Sequence, residues 1–282
     1  MNTPAKITIF GPGLMGSSLC LAIREAYPET HIAVWARNRD RLAKVEAKGL
    51  ADSTSIRPDE VAKDADLIVL CVPITAMQSL VEDFLEVVKK ECLITDVGSV
   101  KSCVDHKLAP LIDKRARWIG SHPMTGSEKS GLEAAQANLY QETCTIITPT
   151  EATNSQTVKD ITEFWSKLGS SVHAMTPNEH DLSVAAISHV PHIVAAALVN
   201  GTAETALKVS GPGFRDTTRV AAGSAELWNG ILSENRTAVL RSMQQFIDEL
   251  GTVRDLLKNE DSAGLTAFLE KASSTRTQIT SS

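Results

Sequence analysis

No run of basic residues longer than a few interrupts this chain of 282 residues, and its 28 Lys and Arg are outnumbered by 34 Asp and Glu, for a formal net charge of −6. That balance argues against nucleic acid as the main partner, since a phosphate backbone needs a clustered basic face. An anionic ligand would have to be gripped by a few local cations. Cysteine is sparse. Cys20, Cys71, Cys92, Cys103 and Cys144 are scattered, odd in number and never arranged as CxxC. That pattern excludes a disulfide framework and a paired-cysteine zinc site, and reads as reduced, mostly buried thiols in a cytoplasmic protein. No apolar run reaches the roughly 18 residues that a membrane span requires, so no membrane association is expected. The N-terminus enters an apolar strand directly, without the features of a signal peptide. There is no HExxH, no P-loop and no hydrolase nucleophile elbow. What remains is an ordinary soluble composition, 43% hydrophobic and 22% charged, in a length that suits about two domains.

Ten residues from the start, Lys6-Ile7-Thr8-Ile9-Phe10 reads as a buried strand that ends in Gly11-Pro12-Gly13-Leu14-Met15-Gly16, and Ser17 onward reads as a helix. Strand, glycine turn and helix together form the context of a dinucleotide fingerprint. In that reading Gly11 permits the tight turn, Gly13 lets backbone approach a pyrophosphate, and Gly16 allows close helix–strand packing. Leu14 and Met15 open the helix, whose N–H groups face the phosphates.

Short apolar runs then recur at 31–35, 66–72, 92–97, 117–121, 144–148 and 171–175, with helical periodicity between them at 39–48, 75–90 and 155–168. This alternation predicts an α/β fold, a doubly wound parallel sheet of Rossmann type with helices on both faces. The pattern changes at Thr176-Pro177-Asn178. From there on the chain reads as helices over 178–208, 216–222, 224–231, 233–258 and 261–273, broken at Pro191 and at Ser210-Gly211-Pro212-Gly213, with a polar tail that frays. The expected organisation is a dinucleotide-binding domain over 1–176 and an all-helical domain over 177–282.

Ligands of open α/β sheets bind beyond the carboxyl ends of the strands. The glycine turn, Arg37-Asn38, Val72-Pro73, Gly98-Ser99 and His122-Pro123 fall on that one edge. Strand two is followed by Ala36-Arg37-Asn38, where an NAD site would place a carboxylate. Arg37 could instead pair with a 2′-phosphate, so NADP is the expected cofactor ahead of NAD, with Asn38, Val72 and Pro73 as further contacts. The alternative for Arg37 is a solvent-facing or adenine-stacking side chain. His122 follows a buried strand opposite the expected nicotinamide end, and a histidine near its ordinary pKa of about 6.5 suits a general base. A structural histidine in a turn is the plainer reading. Ser99 fits either a helix N-cap or an active-site hydroxyl. His189 and His192 lie three apart on one helical face, without a third ligand that would point to a metal. Arg219 suits a carboxylate clamp, or a surface pair with Asp216 three residues earlier.

Four segments resemble prephenate and arogenate dehydrogenases: 96–101 (Asp-Val-Gly-Ser-Val-Lys), 120–131 around His122, 188–192 (Ser-His-Val-Pro-His) and 213–219 (Gly-Phe-Arg-Asp-Thr-Thr-Arg). They occur in that family's order and spacing over nearly the whole chain. The resemblance implies oxidative decarboxylation of a cyclohexadienyl substrate in tyrosine biosynthesis, with NAD or NADP and a dimer formed through the helical half. It implies His122 as the base on the ring 4-hydroxyl, and Ser99 orienting His122 beside the nicotinamide. It further implies Arg219 on a substrate carboxylate, Ser127, Glu128 and Asp216 in a polar network at the cleft mouth, and His192 lining the substrate pocket. Prephenate is the expected substrate because His192 is present, and arogenate is the alternative. Other two-domain dehydrogenases share the glycine turn but are not expected to carry the His122 and Arg219 segments together. A nucleotide-binding sensor without catalysis is the alternative of another class, and would form no reduced cofactor. The departure from the family is the missing acidic residue after strand two.

Overall fold

A computed structural model describes residues 3–126 and 131–280. Among these described residues nine strands form in chain order: β1 Lys6–Phe10, β2 His31–Trp35, β3 Ser53–Ser55, β4 Leu67–Leu70, β5 Leu93–Asp96, β6 Arg117–Trp118, β7 Gly120–Pro123, β8 Cys144–Thr148 and β9 Ser171–Ala174. The first six make one parallel sheet in the order β3-β2-β1-β4-β5-β6. The chain reverses its direction of winding between β1 and β4, so a crevice opens beyond their carboxyl ends.

Side-chain alternation explains why both faces are covered. Ile7, Ile9, Ile32, Val34, Leu67 and Val69 belong to one core cluster, which they share with Ile161, Phe164 and Trp165 of a helix. Phe10, Ala33, Trp35, Ile68 and Leu70 belong to a second cluster on the opposite face. Successive strand residues point to opposite faces, and a strand apolar at every position must be buried on both. The covering helices are α1 Leu14–Ala26, α2 Arg39–Ala47, α3 Pro58–Ala62, α4 Ile74–Phe84, α5 Ser102–Ile112 and α6 Ser155–Lys167.

The sheet departs from expectation in two places. β3, whose three residues Ser53-Thr54-Ser55 carry no apolar pattern, pairs with β2 at the edge of the sheet. The run 117–121 is two strands, not one. Ile119 makes the last backbone–backbone bond to β5, through Ile94, and the chain then turns into a separate three-stranded sheet, β7-β8-β9, in which β7 and β8 are antiparallel. His122 therefore sits within a strand, opposite Ile146, and not in a loop after one.

Beyond β9 the chain is helical: α7 Pro177–Val184, a π turn at Ala185–His189, α8 Val190–Gly201, α9 Glu204–Leu207, α10 Pro212–Thr218, a 3-10 turn at Arg219–Ala222, α11 Ala225–Glu234, α12 Arg236–Lys258 and α13 Ser262–Thr280. A capping box between Thr176 and Glu179 starts α7. Pro191 does not break the helix. It lies in the first turn of α8, directly after the π turn, where its missing N–H is tolerated. The result is one helix, Pro177–Gly201, whose length and mean composition would suffice to cross a membrane, although polar residues such as His180, Asp181, His189 and His192 interrupt it and no uninterrupted apolar run of that length occurs. The tail is helical as far as it is described. α13 runs to Thr280, and Thr275 and Thr277 return their hydroxyls to the carbonyls of Lys271 and Ser273.

Candidate active site

The glycine turn forms a cradle that the backbone itself enforces. Gly11 has φ +104°, and a Cβ there would lie 2.6 Å from the carbonyl oxygen of Cys71 at the end of β4. A Cβ on Gly16 would meet the carbonyl oxygen of Gly11 at 2.1 Å. A Cβ on Gly13 would meet nothing within 4 Å. Two glycines are thus required by packing, while the third keeps open the space in front of α1, whose N-terminus has no side-chain cap. Unoccupied amides at a helix start, facing open space, suit a diphosphate. Leu14 and Met15 are half-buried in the first turn, and the Met15 carbonyl accepts a bond from Tyr140. Val72 stands beside Gly11, and Pro73 is the N-cap of α4, so the ends of β1 and β4 together line the crevice. Beyond β2, Arg37 is exposed, as are Arg39 and Arg41. Asn38 is also exposed and caps α2 by accepting from the Arg41 amide.

Next to β5, the chain is pinned just before His122. Asp96 pairs with the buried Lys101 ammonium, which also donates to the Ser121 carbonyl at 2.9 Å. Asp96 accepts from the amides of Gly98 and Ser121. The Ser121 hydroxyl meets Thr95 and receives the Trp165 indole N–H. Two charges taken out of water in this way are held by their mutual bond and by these donors. His122 follows, nearly buried, at the carboxyl edge of the sheet. Ser99 sits in the loop between β5 and α5 and does not cap α5, which starts three residues later at Ser102.

His122 Nδ1 is bonded not to Ser99 but to His180 Nε2 at 2.8 Å. His180 Nδ1 in turn meets Asp181 Oδ1 at 2.8 Å. Asp181 also receives the backbone amides of Lys101 and Ser102 at 2.7 and 2.9 Å, so a carboxylate from the helical half caps α5. Burial alone would raise the Asp181 pKa, yet His180 and these two amides hold it below the usual carboxylate range. Burial pushes the His122 imidazole well below its ordinary value, and His180, Lys101 and His189 act in the same direction. His122 is therefore neutral at physiological pH, and its pKa does not sit near 6.5 as expected. His180 is lowered by burial as well.

The helical residues join this cluster. The Asn235 amide donates to the Asp181 carbonyl and contacts His189 Nδ1. Burial lowers His189 to about 4. His189 packs edge-on to Trp228, and His192 stacks flat on the same indole at 3.6 Å. Both histidines are buried, with their rings packed on the one indole. His192 Nδ1 is buried without a hydrogen-bond partner. A Cβ on Gly223 would touch both Trp228 and His192, which places the end of the Arg219–Ala222 turn against this pair. Asp216 and Arg219 are exposed on α10 and that turn. Ser127 and Glu128 lie outside the described residues. His180, Asp181, Asn235 and Trp228 were not singled out from the sequence. A signal existed for the first two, because His-Asp directly follows the capping box in the first turns of the helix.

Family models match most of the chain. Residues 19–174 match the nucleotide-binding domain of prephenate dehydrogenase, and residues 176–271 match its dimerization domain. The chain belongs to the prephenate dehydrogenase family. It is accordingly a nicotinamide-dependent oxidoreductase of that family. It is 31% identical to a cyclohexadienyl dehydrogenase of Zymomonas mobilis over 93% of this chain and 91% of that one. It is 30% identical to a prephenate dehydrogenase of Bacillus subtilis over 94% of this chain and 74% of that one. Its fold is similar to that of prephenate dehydrogenase from A. aeolicus, a structure in complex with hydroxyphenyl propionate and NAD+, with TM-score 0.91, 28% identity and coverage of 97% and 98%.

Proposed function

We propose that this dehydrogenase converts prephenate to 4-hydroxyphenylpyruvate and carbon dioxide, in the cytoplasmic synthesis of tyrosine, with NADP preferred over NAD. The observation that carries the reading is the buried His122 imidazole, which follows the bonds from Ser121 to the end of β5 and is itself bonded to His180 of the helical half.

His122 takes the proton of the ring 4-hydroxyl while a hydride leaves the same carbon. Bound nicotinamide supplies the hydride acceptor. The bond from the ring to its carboxylate then breaks, its electron pair enters the ring, and the aromatic phenolate recovers a proton from His122. Arg219 grips a substrate carboxylate by charge-assisted bonds, which a protein of net negative charge must provide locally. Ser99 lies on the nicotinamide side of the ring. Ser127, Glu128 and Asp216 form the polar mouth. The unpartnered Nδ1 of His192 marks a buried position that asks for a polar substrate atom, and supports prephenate with its side-chain keto acid. Gly11, Gly13, Leu14, Met15, Gly16, Val72 and Pro73 form the dinucleotide site, and Arg37 with Asn38 contacts the adenosine ribose and its phosphate. The dinucleotide-binding half extends to residue 176 and the helical half follows it.

The same reading makes the protein a homodimer. Among the described residues, the exposed large apolar side chains other than Ile56 and Val87 all belong to the helical half. Only 33% of the most apolar stretch of the Pro177–Gly201 helix is buried, and Ile187 on its π turn is 65% exposed. A second copy covers such a surface in a soluble enzyme.

Purified protein given prephenate or arogenate, each with NAD or NADP, is expected to form reduced cofactor fastest with prephenate and NADP. Cofactor binding with no reduction on either substrate would establish the sensor instead. His122→Asn should lower kcat by roughly 10²–10⁴-fold, and near-native turnover in that variant would remove the base assignment.

A further inference from the structure

We infer that His180 and Asp181, two residues of the helical half, fix the tautomer of His122 so that its Nε2 is the proton acceptor. The inference rests on His122 as base, and it follows from counting donors and acceptors. Asp181 Oδ1 already accepts the Lys101 amide at 2.7 Å, and Oδ2 accepts the Ser102 amide at 2.9 Å. A carboxylate so placed only accepts. His180 Nδ1, at 2.8 Å from Oδ1, is then the N–H end of its ring. A neutral imidazole with a protonated Nδ1 presents a lone pair at Nε2. That lone pair faces His122 Nδ1 at 2.8 Å, so His122 Nδ1 must carry the hydrogen. His122 Nε2 is left bare, and it is the nitrogen that can take a proton from a substrate hydroxyl.

The surroundings favour this polarity over its reverse. His180 is fully buried, so its ring cannot turn to water for a substitute partner. The ionisable groups acting on the two rings are Asp181, Lys101, Asp96 and His189. The Lys101 ammonium is itself paired with Asp96 and donates to the Ser121 carbonyl, which leaves Asp181 as the carboxylate bonded directly to the histidine chain. When His122 becomes imidazolium, its Nδ1–H already points at a lone pair backed by a carboxylate. His180 and Asp181 are positioning residues in this scheme. They touch neither substrate nor cofactor, and act only through His122.

Selective ¹⁵N labelling of histidine reads the tautomer directly in the full-length protein, with the His122 signals assigned by their loss in His122→Asn. The expected result is a protonated Nδ1 and an unprotonated Nε2 for His122, and the opposite tautomer would overturn the inference. Turnover supplies a second reading. His180→Leu removes the acceptor and should lower kcat about 10²-fold, with KM for prephenate within about threefold of wild type. His180→Gln keeps the relay, because Asp181 draws the amide NH₂ and leaves the amide oxygen for His122. It should recover most of that loss. A folded Gln variant as impaired as the Leu variant would mean that His180 serves packing alone, and would also overturn the inference. The two readings fail separately. A bare Nε2 together with an active His122→Asn variant removes the base assignment, whereas an inactive His122→Asn variant with the opposite tautomer removes only the relay.

Discussion

At the scale of single residues, the side chains that the motifs pointed to and the ones that organise them differ in kind. His122, Arg37 and Arg219 stand at strand ends or in turns, where a polar residue breaks an apolar pattern and draws notice. His180 and Asp181 lie inside a helix, where polar residues usually mark the solvent face, and only the fold shows that they point inward. The pKa of His122 was out of reach for the same reason. It depends on burial and on His180, Lys101 and His189, none of which is its neighbour in sequence. Arg37 gives the clearest test at this scale. It stands exposed beyond β2 with no carboxylate at the position that an NAD site uses. Arg37→Asp removes a charge-assisted bond of about 1.5–3 kcal/mol to a 2′-phosphate. The ratio of kcat/KM for NADP over NAD should therefore fall by about 10–100-fold. An unchanged ratio would take Arg37 out of the cofactor site.

At the scale of elements, the periodic ones were legible and the interrupted ones were not. β1, β2, β4 and β5 are runs of buried apolar residues, and their chemistry announces them. β3 is Ser-Thr-Ser, held by pairing to β2 and by no pattern of its own. The split between β6 and β7 is set by long-range bonds from Asp96, Lys101 and Thr95 to Ser121, which local sequence does not carry. Continuity through Pro191 was hidden because the π turn that accommodates it has no sequence signature. The glycine turn offers a separation of fold from binding. Gly16→Ala drives a Cβ into backbone at 2.1 Å and should cost about 1–3 kcal/mol or more in stability, read by thermal melting. Gly13→Ala meets no atom in the protein, so it should melt near the native temperature and bind cofactor about tenfold more weakly by titration. Equal melting losses in the two variants would contradict the assignment of Gly13 to the ligand.

At the scale of the whole molecule, an α/β half and a helical half could be told apart by the change of pattern near Thr176. What sequence could not supply is how the halves meet. They are joined by His122 to His180, by the Asp181 cap on α5, and by Lys107 to Glu234 at 3.1 Å. The surface of the helical half is the other large-scale feature. Leu240, Ile247, Leu250 and Leu257 are all exposed along α12 at helical spacing. In the proposed dimer, Leu250→Arg should weaken association by about 2 kcal/mol or more. Sedimentation would then show monomer at concentrations where the native protein is dimeric. A variant that sediments as the native dimer would put the interface on another face.

The carboxylate cap on α5 has one further consequence. The amides of Lys101 and Ser102 have no side chain of their own helix to turn to, and Asp181 serves both them and the histidine pair. If the two halves swing apart, the helix start is uncovered and the imidazole loses its anchor in the same movement.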